Sequence, residues 1–155
     1  MQRAVEQRRS LRGDYPGAHG AYLLSRLADG CLLARRIADA AVYAERASDL
    51  ARIYDHRIDE AWSLRLQGDL AARKGPVDVE EVETLYLRSR AIAAAQEMAP
   101  FVAHCDLRIA KLHALVRDEA GSRTALHRAQ KAFGELKMPY WADRANPALM
   151  RLAHA

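Results

Sequence analysis

Histidine and cysteine residues in the second half of the chain come closest to a metal-binding pattern. His104 and Cys105 are adjacent, His113 lies eight positions after Cys105, and His127 follows further on. Zinc ligands on one helix usually stand three or four residues apart, so that both side chains reach the same ion. A separation of about two helical turns is too wide for this. We therefore expect a packed cysteine with partly exposed histidines, and no metal site.

A second polar group, formed by Asp55, His56, Asp59 and Glu60, contains the residue types of general acid–base catalysis. The same residues suit a solvated turn before a helix, where side-chain oxygens accept hydrogen bonds from free backbone N–H groups. No nucleophile motif or phosphate-binding glycine loop accompanies them in the sequence. We therefore expect no catalysis and no cofactor, and a small helical enzyme with an unrecognised site stays as an alternative.

Composition predicts an all-α protein. Half of the 155 residues are hydrophobic, alanine and leucine dominate, and no alternating β-branched runs occur. The net charge of +4 is mild, and charges of both signs alternate as on solvated helix faces. No apolar run approaches the roughly 20 residues that span a bilayer. Because Cys31 and Cys105 are far apart and the N-terminus lacks a signal-peptide pattern, we expect a cytoplasmic protein without membrane contact.

The elements that must position these residues are helices arranged in hairpins. In the middle of the chain, Trp62, Leu66 and Leu70 recur at helical spacing, which indicates a helix with a broad buried face. Gly75 suits a left-handed C-terminal cap, and Pro76 prevents the helix from continuing. A second helix follows, and neither helix could bury its apolar face alone.

The same pattern predicts the domain organisation. Asp78 is expected to cap the second helix of the central hairpin, and Pro100 and Pro139 suit first helical turns. We expect a partly ordered basic segment over residues 1–20 and one helical repeat domain over residues 21–155. The domain would contain three antiparallel hairpins at about 21–54, 58–98 and 100–137, with a C-terminal capping helix at 139–153.

An internal repeat relates the three hairpins. Small residues stand at equivalent points, with Ala28 and Gly68 separated by 40 positions and Gly68 and Ala110 by 42. The matching positions in the second helices are Ala44, Tyr86 and Leu126. Units that cannot bury their apolar faces alone stack on their neighbours, which predicts an α-solenoid of about three hairpins.

These features resemble tetratricopeptide-repeat (TPR) arrays, and more narrowly the long-period repeats at the C-termini of bacterial signalling ATPases, nucleotide-cyclase-type proteins and ATP-dependent transcription activators. The resemblance is most specific in Ala61–Gly75, Val102–Leu107 and Met138–Trp141. The chain departs from the pattern in its longer period. It also has Asp106 where a bulky apolar residue is usual, and arginines at 35 and 117 where turn glycines are common.

The resemblance implies a concave groove, because the first helix of each TPR hairpin lines a peptide-binding surface. Equivalent positions give three rows of groove residues: Tyr22, Trp62 and His104, then Ser25, Arg65 and Leu107, then Asp29, Asp69 and Lys111, with Arg73 at the rim. Aromatic side chains offer contact area to a bound segment, and arginine can hold a carboxylate. Tyr22 and Trp62 could instead fill the core between helices, and both interpretations stay open.

The favoured function is a non-catalytic protein–protein interaction module, the terminal repeat region of a bacterial signalling or regulatory protein, that binds a peptide or partner helix. An open end of the array could also pair with a second copy as a homodimer. The alternative is a basic helical module that contacts nucleic acid as part of a transcription regulator. It would need one face to collect the arginines Arg8, Arg9, Arg12, Arg123, Arg128 and Arg144.

Overall fold

The computed structural model describes residues 19–146, and all regular secondary structure in that range is α-helical. The helices are α1 (His19–Leu33), α2 (Ile37–Ile53), α3 (Arg57–Ala71), α4 (Val79–Ala95), α5 (Ala99–Leu115), α6 (Glu119–Glu135) and α7 (Pro139–Arg144). The prediction of an all-α chain is confirmed for this range. The predicted basic segment lies outside the described residues up to position 18, as does the predicted capping helix from position 147 onward.

Five of the six connections between these helices are three residues long. In all five the helix ends with the same hydrogen-bond pattern and one left-handed residue. After α1, the Arg36 N–H donates to the Cys31 carbonyl at 2.8 Å, and Arg35 has a left-handed φ of 59°. This pattern is the Schellman closure, which satisfies the free carbonyls of a helix end. The left-handed residues in the other four turns are Asp55, Glu97, Arg117 and Lys137. Such short connections keep consecutive helices side by side.

The longer connection joins α3 to α4, and the expectation of a left-handed cap at Gly75 is wrong. The helix already ends at Ala71, and Gly75 does not have a left-handed φ. The physical reason is the length of the linker, which needs no sharp reversal at the helix end. Asp78 does cap α4, because its carboxylate accepts from the Glu81 N–H at 3.0 Å.

Apolar faces meet between successive helices along the described chain. The pairs α1 with α2, α3 with α4 and α5 with α6 pack most extensively, and α1 also touches α3. Close approach in the middle pair requires Gly68, because a Cβ there would lie 2.6 Å from Cε1 of Tyr86. The equivalent Ala28 and Ala110 are fully buried. Among the described helices, none combines the length and apolarity needed to cross a membrane.

Candidate functional site

A cavity of about 790 Å³, which we call the groove, is lined mainly by side chains of α1, α3 and α5. Tyr86 of α4 and Trp141 of α7 complete its wall. Eight of the ten residues that the sequence predicted for a binding groove lie in this lining: Asp29, Trp62, Arg65, Asp69, Arg73, His104, Leu107 and Lys111. The first helices of the three predicted hairpins therefore contribute to one shared surface.

The other two predicted residues, Tyr22 and Ser25, lie outside the groove lining. Ser25 is buried, as are its equivalents Arg65 and Leu107, but only those two longer side chains line the groove. Tyr22 is 47% exposed, and its ring centroid lies 5.4 Å from the guanidinium carbon of Arg26. The first row of the prediction thus contributes only Trp62 and His104 to the groove.

Trp62 belongs to the groove lining and to the core at once. One contact is with the ring of Phe101, which lies edge-on with the centroids 4.4 Å apart. Another is with Arg26, whose guanidinium carbon stands 3.9 Å from the indole centroid. A cation held over an indole ring in this way is attracted by the ring quadrupole. The two interpretations of Trp62, groove and core, are therefore not exclusive.

Asp69 is the centre of a buried charged group in the groove wall, which we call the Asp69 cluster. Its carboxylate accepts hydrogen bonds from Arg65 Nη1 at 2.7 Å, the Tyr86 hydroxyl at 2.8 Å and Arg108 Nε at 2.8 Å. Burial and the nearby carboxylate raise the pKa of Tyr86. Burial alone would lower the pKa of Arg108, but the charge of Asp69 raises it overall. The cluster connects α3, α4 and α5.

A second carboxylate extends this network to α1. Arg65 donates through Nη2 to Asp29 Oδ1 at 2.7 Å, and Arg26 Nη2 stands 3.0 Å from Asp29 Oδ2. Arg65 is only 2% exposed, and its Nε has no hydrogen-bond partner among the described residues. Burying a guanidinium is costly unless carboxylates compensate its charge, and here two carboxylates do so.

Burial, together with nearby positive charges, lowers the pKa of two further residues in the groove. Burial and the charges of Arg108, Arg65 and Lys111 lower the pKa of His104 to about 4. The His104 ring packs edge-on against Trp141, with the centroids 4.4 Å apart. Desolvation and the nearby Arg108 also lower the pKa of Lys111. The imidazole is thus neutral near pH 7, in a field that disfavours additional protons.

The residues considered for zinc have separate roles. Cys105 is fully buried, and burial raises the pKa of its thiol. His113 bridges two carboxylates, with Nε2 3.1 Å from Glu83 and Nδ1 2.9 Å from Asp118. His127 is exposed. Within residues 19–146, no group of three or more His, Cys, Asp and Glu side chains is arranged to hold a metal ion.

The polar residues considered for acid–base work occupy a turn and the first turn of α3. Asp55 is the left-handed residue of the turn, with a φ of 52°. His56 Nδ1 lies 3.0 Å from Asp59 Oδ2, and Arg57 donates to Glu60 at 2.6 Å. These contacts are local to the helix start, and none of the five residues lines the groove.

Sequence reasoning missed several groove residues, and the repeat could have identified two of them. Arg26 and Arg108 occupy equivalent positions, each four residues after a member of the predicted aromatic row. The equivalent residue in α3 is Leu66, which is fully buried. Because it is not an arginine, the three equivalent positions do not show a common cationic residue. Tyr86 comes from a second helix, so a rule restricted to first helices could not have found it.

Of the arginines that a nucleic-acid surface would need, the three within the described residues, Arg123, Arg128 and Arg144, do not line the groove. Arg128 pairs with Asp106 at 3.1 Å, and Arg144 donates to the Tyr140 hydroxyl at 2.7 Å. Arg123 stands 4.0 Å from a carboxylate of its own helix. The other three, Arg8, Arg9 and Arg12, lie outside the described residues.

Comparisons with protein-family models, curated proteins and solved structures find no match to this chain. Its function must therefore be argued from the groove itself and from the resemblance of its repeats.

Proposed function

We propose that this chain is a non-catalytic protein–protein interaction module that binds an extended segment or helix of a partner in the groove. The observation that carries the proposal is the convergence of α1, α3 and α5 on one cavity. Alternate helices that face one surface are the arrangement by which helical repeats build binding grooves. We accordingly propose a TPR-like α-solenoid of three hairpins.

The chemical character of the groove supports binding. Exposed leucines stand in its lining, with Leu33 87% and Leu115 58% exposed, and could bury apolar surface against a partner. The carboxylates of Asp29 and Asp69 are both held in ion pairs by Arg65, which gives them a structural role in the groove wall. These features favour recognition over catalysis.

The setting of the module follows from the resemblance of its repeats. We propose that it acts in the cytoplasm as the terminal repeat region of a bacterial signalling or regulatory protein. Pairing with a second copy also stays a prediction. One observation supports dimer formation. Leu23 and Leu27 of α1 are half-exposed, whereas their equivalents in α5, Cys105 and Ile109, are buried, so a second copy could cover the two leucines. Light scattering of the purified chain would give the solution mass.

A random twelve-residue peptide library displayed on phage tests the binding proposal. Selection on the immobilised chain should enrich peptides whose binding is weakened at least about five-fold by Trp62→Ala. The matched control is Leu87→Ala, which truncates an exposed side chain of α4 outside the groove and should change binding little. Circular dichroism verifies that both variants remain helical. Peptides that bind all three proteins equally, or no enrichment at all, would refute the groove as a binding site.

A further inference from the structure

The groove contains more cations than its own carboxylates can neutralise. Five cationic side chains line it: Arg26, Arg65, Arg73, Arg108 and Lys111. Among the residues that the structure describes, only two carboxylates, those of Asp29 and Asp69, line the groove. Like charges held close together repel one another, so an excess of this size favours an anionic ligand.

The distribution of ion pairs shows which cations remain available. Asp29 and Asp69 are both engaged by the deeply placed Arg65. At the rim, Arg73 donates to the backbone carbonyl of Asp69 and has no ion pair with a carboxylate within residues 19–146. Lys111 likewise has no carboxylate within ion-pair distance in that range, and it is exposed. The uncompensated charge is therefore at the accessible edge of the groove.

Apolar side chains accompany these cations. Leu33 and Leu115 are both strongly exposed, and both stand in the groove lining with Trp62. A ligand that combines separated negative charges with apolar side chains would satisfy both parts of the surface. A protein segment rich in Asp or Glu and interrupted by leucine-like residues has this combination.

We propose that the partner segment bound by the groove is acidic, with carboxylates that pair with Arg73 and Lys111 and apolar side chains that pack on Leu33 and Leu115. The inference rests on the proposed function and adds the chemical class of the partner.

Nucleic acid fits the same charge less well. Sequence-tolerant binding of single strands depends on bases stacking on aromatic side chains. The indole of Trp62 already has the Arg26 guanidinium 3.9 Å from its centroid and the Phe101 ring against it, so a base cannot stack on the ring face that Arg26 covers.

Three synthetic peptides of twelve residues test the proposal. They share leucine and serine positions, lack tryptophan, and carry Glu, Gln or Lys at the remaining positions. Because the two tryptophans of the chain, Trp62 and Trp141, both line the groove, their fluorescence reports binding directly. We expect the Glu peptide to bind about ten-fold more tightly than the Gln peptide at low ionic strength, and the Lys peptide most weakly. The advantage of the Glu peptide should shrink as salt is added.

Two charge reversals distinguish groove charge from net charge. Lys111→Glu should weaken binding of the Glu peptide by about ten-fold. Arg88→Glu makes the same change in net charge at an exposed residue of α4 outside the groove, and should change binding by less than about two-fold. Equal effects of the two variants would overturn the inference.

The remaining outcomes separate the inference from the proposed function. If the Gln or Lys peptide binds as tightly as the Glu peptide and Trp62→Ala weakens that binding, the acidic partner is refuted while the binding groove stands. If no peptide shows binding that depends on Trp62, both fail. Tighter binding of a twelve-nucleotide oligo-dT than of the Glu peptide would overturn the acidic partner in favour of nucleic acid.

Discussion

Two buried carboxylates on neighbouring first helices, Asp69 of α3 and Asp106 of α5, are held in different ways. Asp69 lies in the groove wall with the fully buried Arg65, whereas Asp106 is outside the groove lining. Asp106 accepts from Arg90 Nε at 3.0 Å and Arg128 Nε at 3.1 Å, and both of these arginines are partly exposed. Asp69 thus compensates the charge of Arg65, which is shielded from water. Asp106 instead joins neighbouring helices through two arginines that are partly exposed to water.

The internal repeat sharpens this difference. The equivalents of Asp69 are Asp29 and Lys111, so that row is charged in all three units. The equivalents of Asp106 are Leu24 and Leu64, which are buried. Charge at position 69 is thus part of the groove as a whole, whereas charge at position 106 is a local replacement for an aliphatic side chain.

The largest expected effect comes from placing leucine at each carboxylate in turn. Asp69→Leu leaves Arg65 partly uncompensated and Tyr86 without its acceptor, and should lower the free energy of unfolding by about 3–5 kcal/mol. Asp106→Leu introduces the residue type found at the equivalent positions, and Arg90 and Arg128 can then turn toward water. The substitution should therefore change the free energy of unfolding by less than about 1 kcal/mol. Urea unfolding followed by circular dichroism measures both. Equal costs would remove the distinction between the two sites.

Gly68→Ala disturbs the Asp69 cluster through packing. The new Cβ would stand 2.6 Å from the Tyr86 ring, so the ring and its hydroxyl must move away. We expect a loss of about 1–3 kcal/mol in the same unfolding assay. Gly30→Ala is the matched control, since a Cβ at that exposed helical site would have no atom within 4 Å apart from adjacent residues and its own helix backbone, and it should stabilise the chain by up to about 1 kcal/mol. A harmless Gly68→Ala would contradict the close contact.

The position of His104 in the groove predicts a pH dependence of stability, because burial and then the nearby positive charges disfavour its protonated form. The pKa of His104 is lowered from 6.5 to about 4 in the folded chain. Between these values the unfolded chain binds a proton that the folded chain does not, so the free energy of unfolding should fall by about 1–3 kcal/mol as pH falls through this window. His104→Phe should remove this pH dependence of the free energy of unfolding, as measured by urea unfolding at several pH values between about 4 and 7. The control His127→Gln, at an exposed site, should retain it.

The smallest expected effect concerns the left-handed turn after α5, which lies outside the Asp69 cluster and away from Asp106. Arg117 has a φ of 61°, which costs an arginine more than a glycine. Arg117→Gly should therefore raise the free energy of unfolding by about 0.5–1 kcal/mol. Arg88→Gly, in the middle of α4, should lower it by about 1 kcal/mol. If both substitutions destabilise equally, the left-handed closure is not formed in solution.

Periodicity was sufficient to predict the helices, because each must bury one apolar face. The eight predicted groove residues that line the cavity came from the resemblance to tetratricopeptide repeats, applied at equivalent positions of the internal repeat, and not from periodicity. Periodicity failed at the helix ends, where Arg35 and Lys137 take left-handed conformations without any glycine to mark them. It also missed Tyr86, because that contact depends on the absence of a side chain at Gly68.

The most direct test of the groove is a titration of the Glu peptide into the wild-type chain, Lys111→Glu and Arg88→Glu, followed by tryptophan fluorescence. We predict that the wild-type chain and Arg88→Glu respond alike and that Lys111→Glu binds about ten-fold more weakly. Indistinguishable titrations of the three proteins, or none that responds, would contradict the assignment of the groove as the site for an acidic partner.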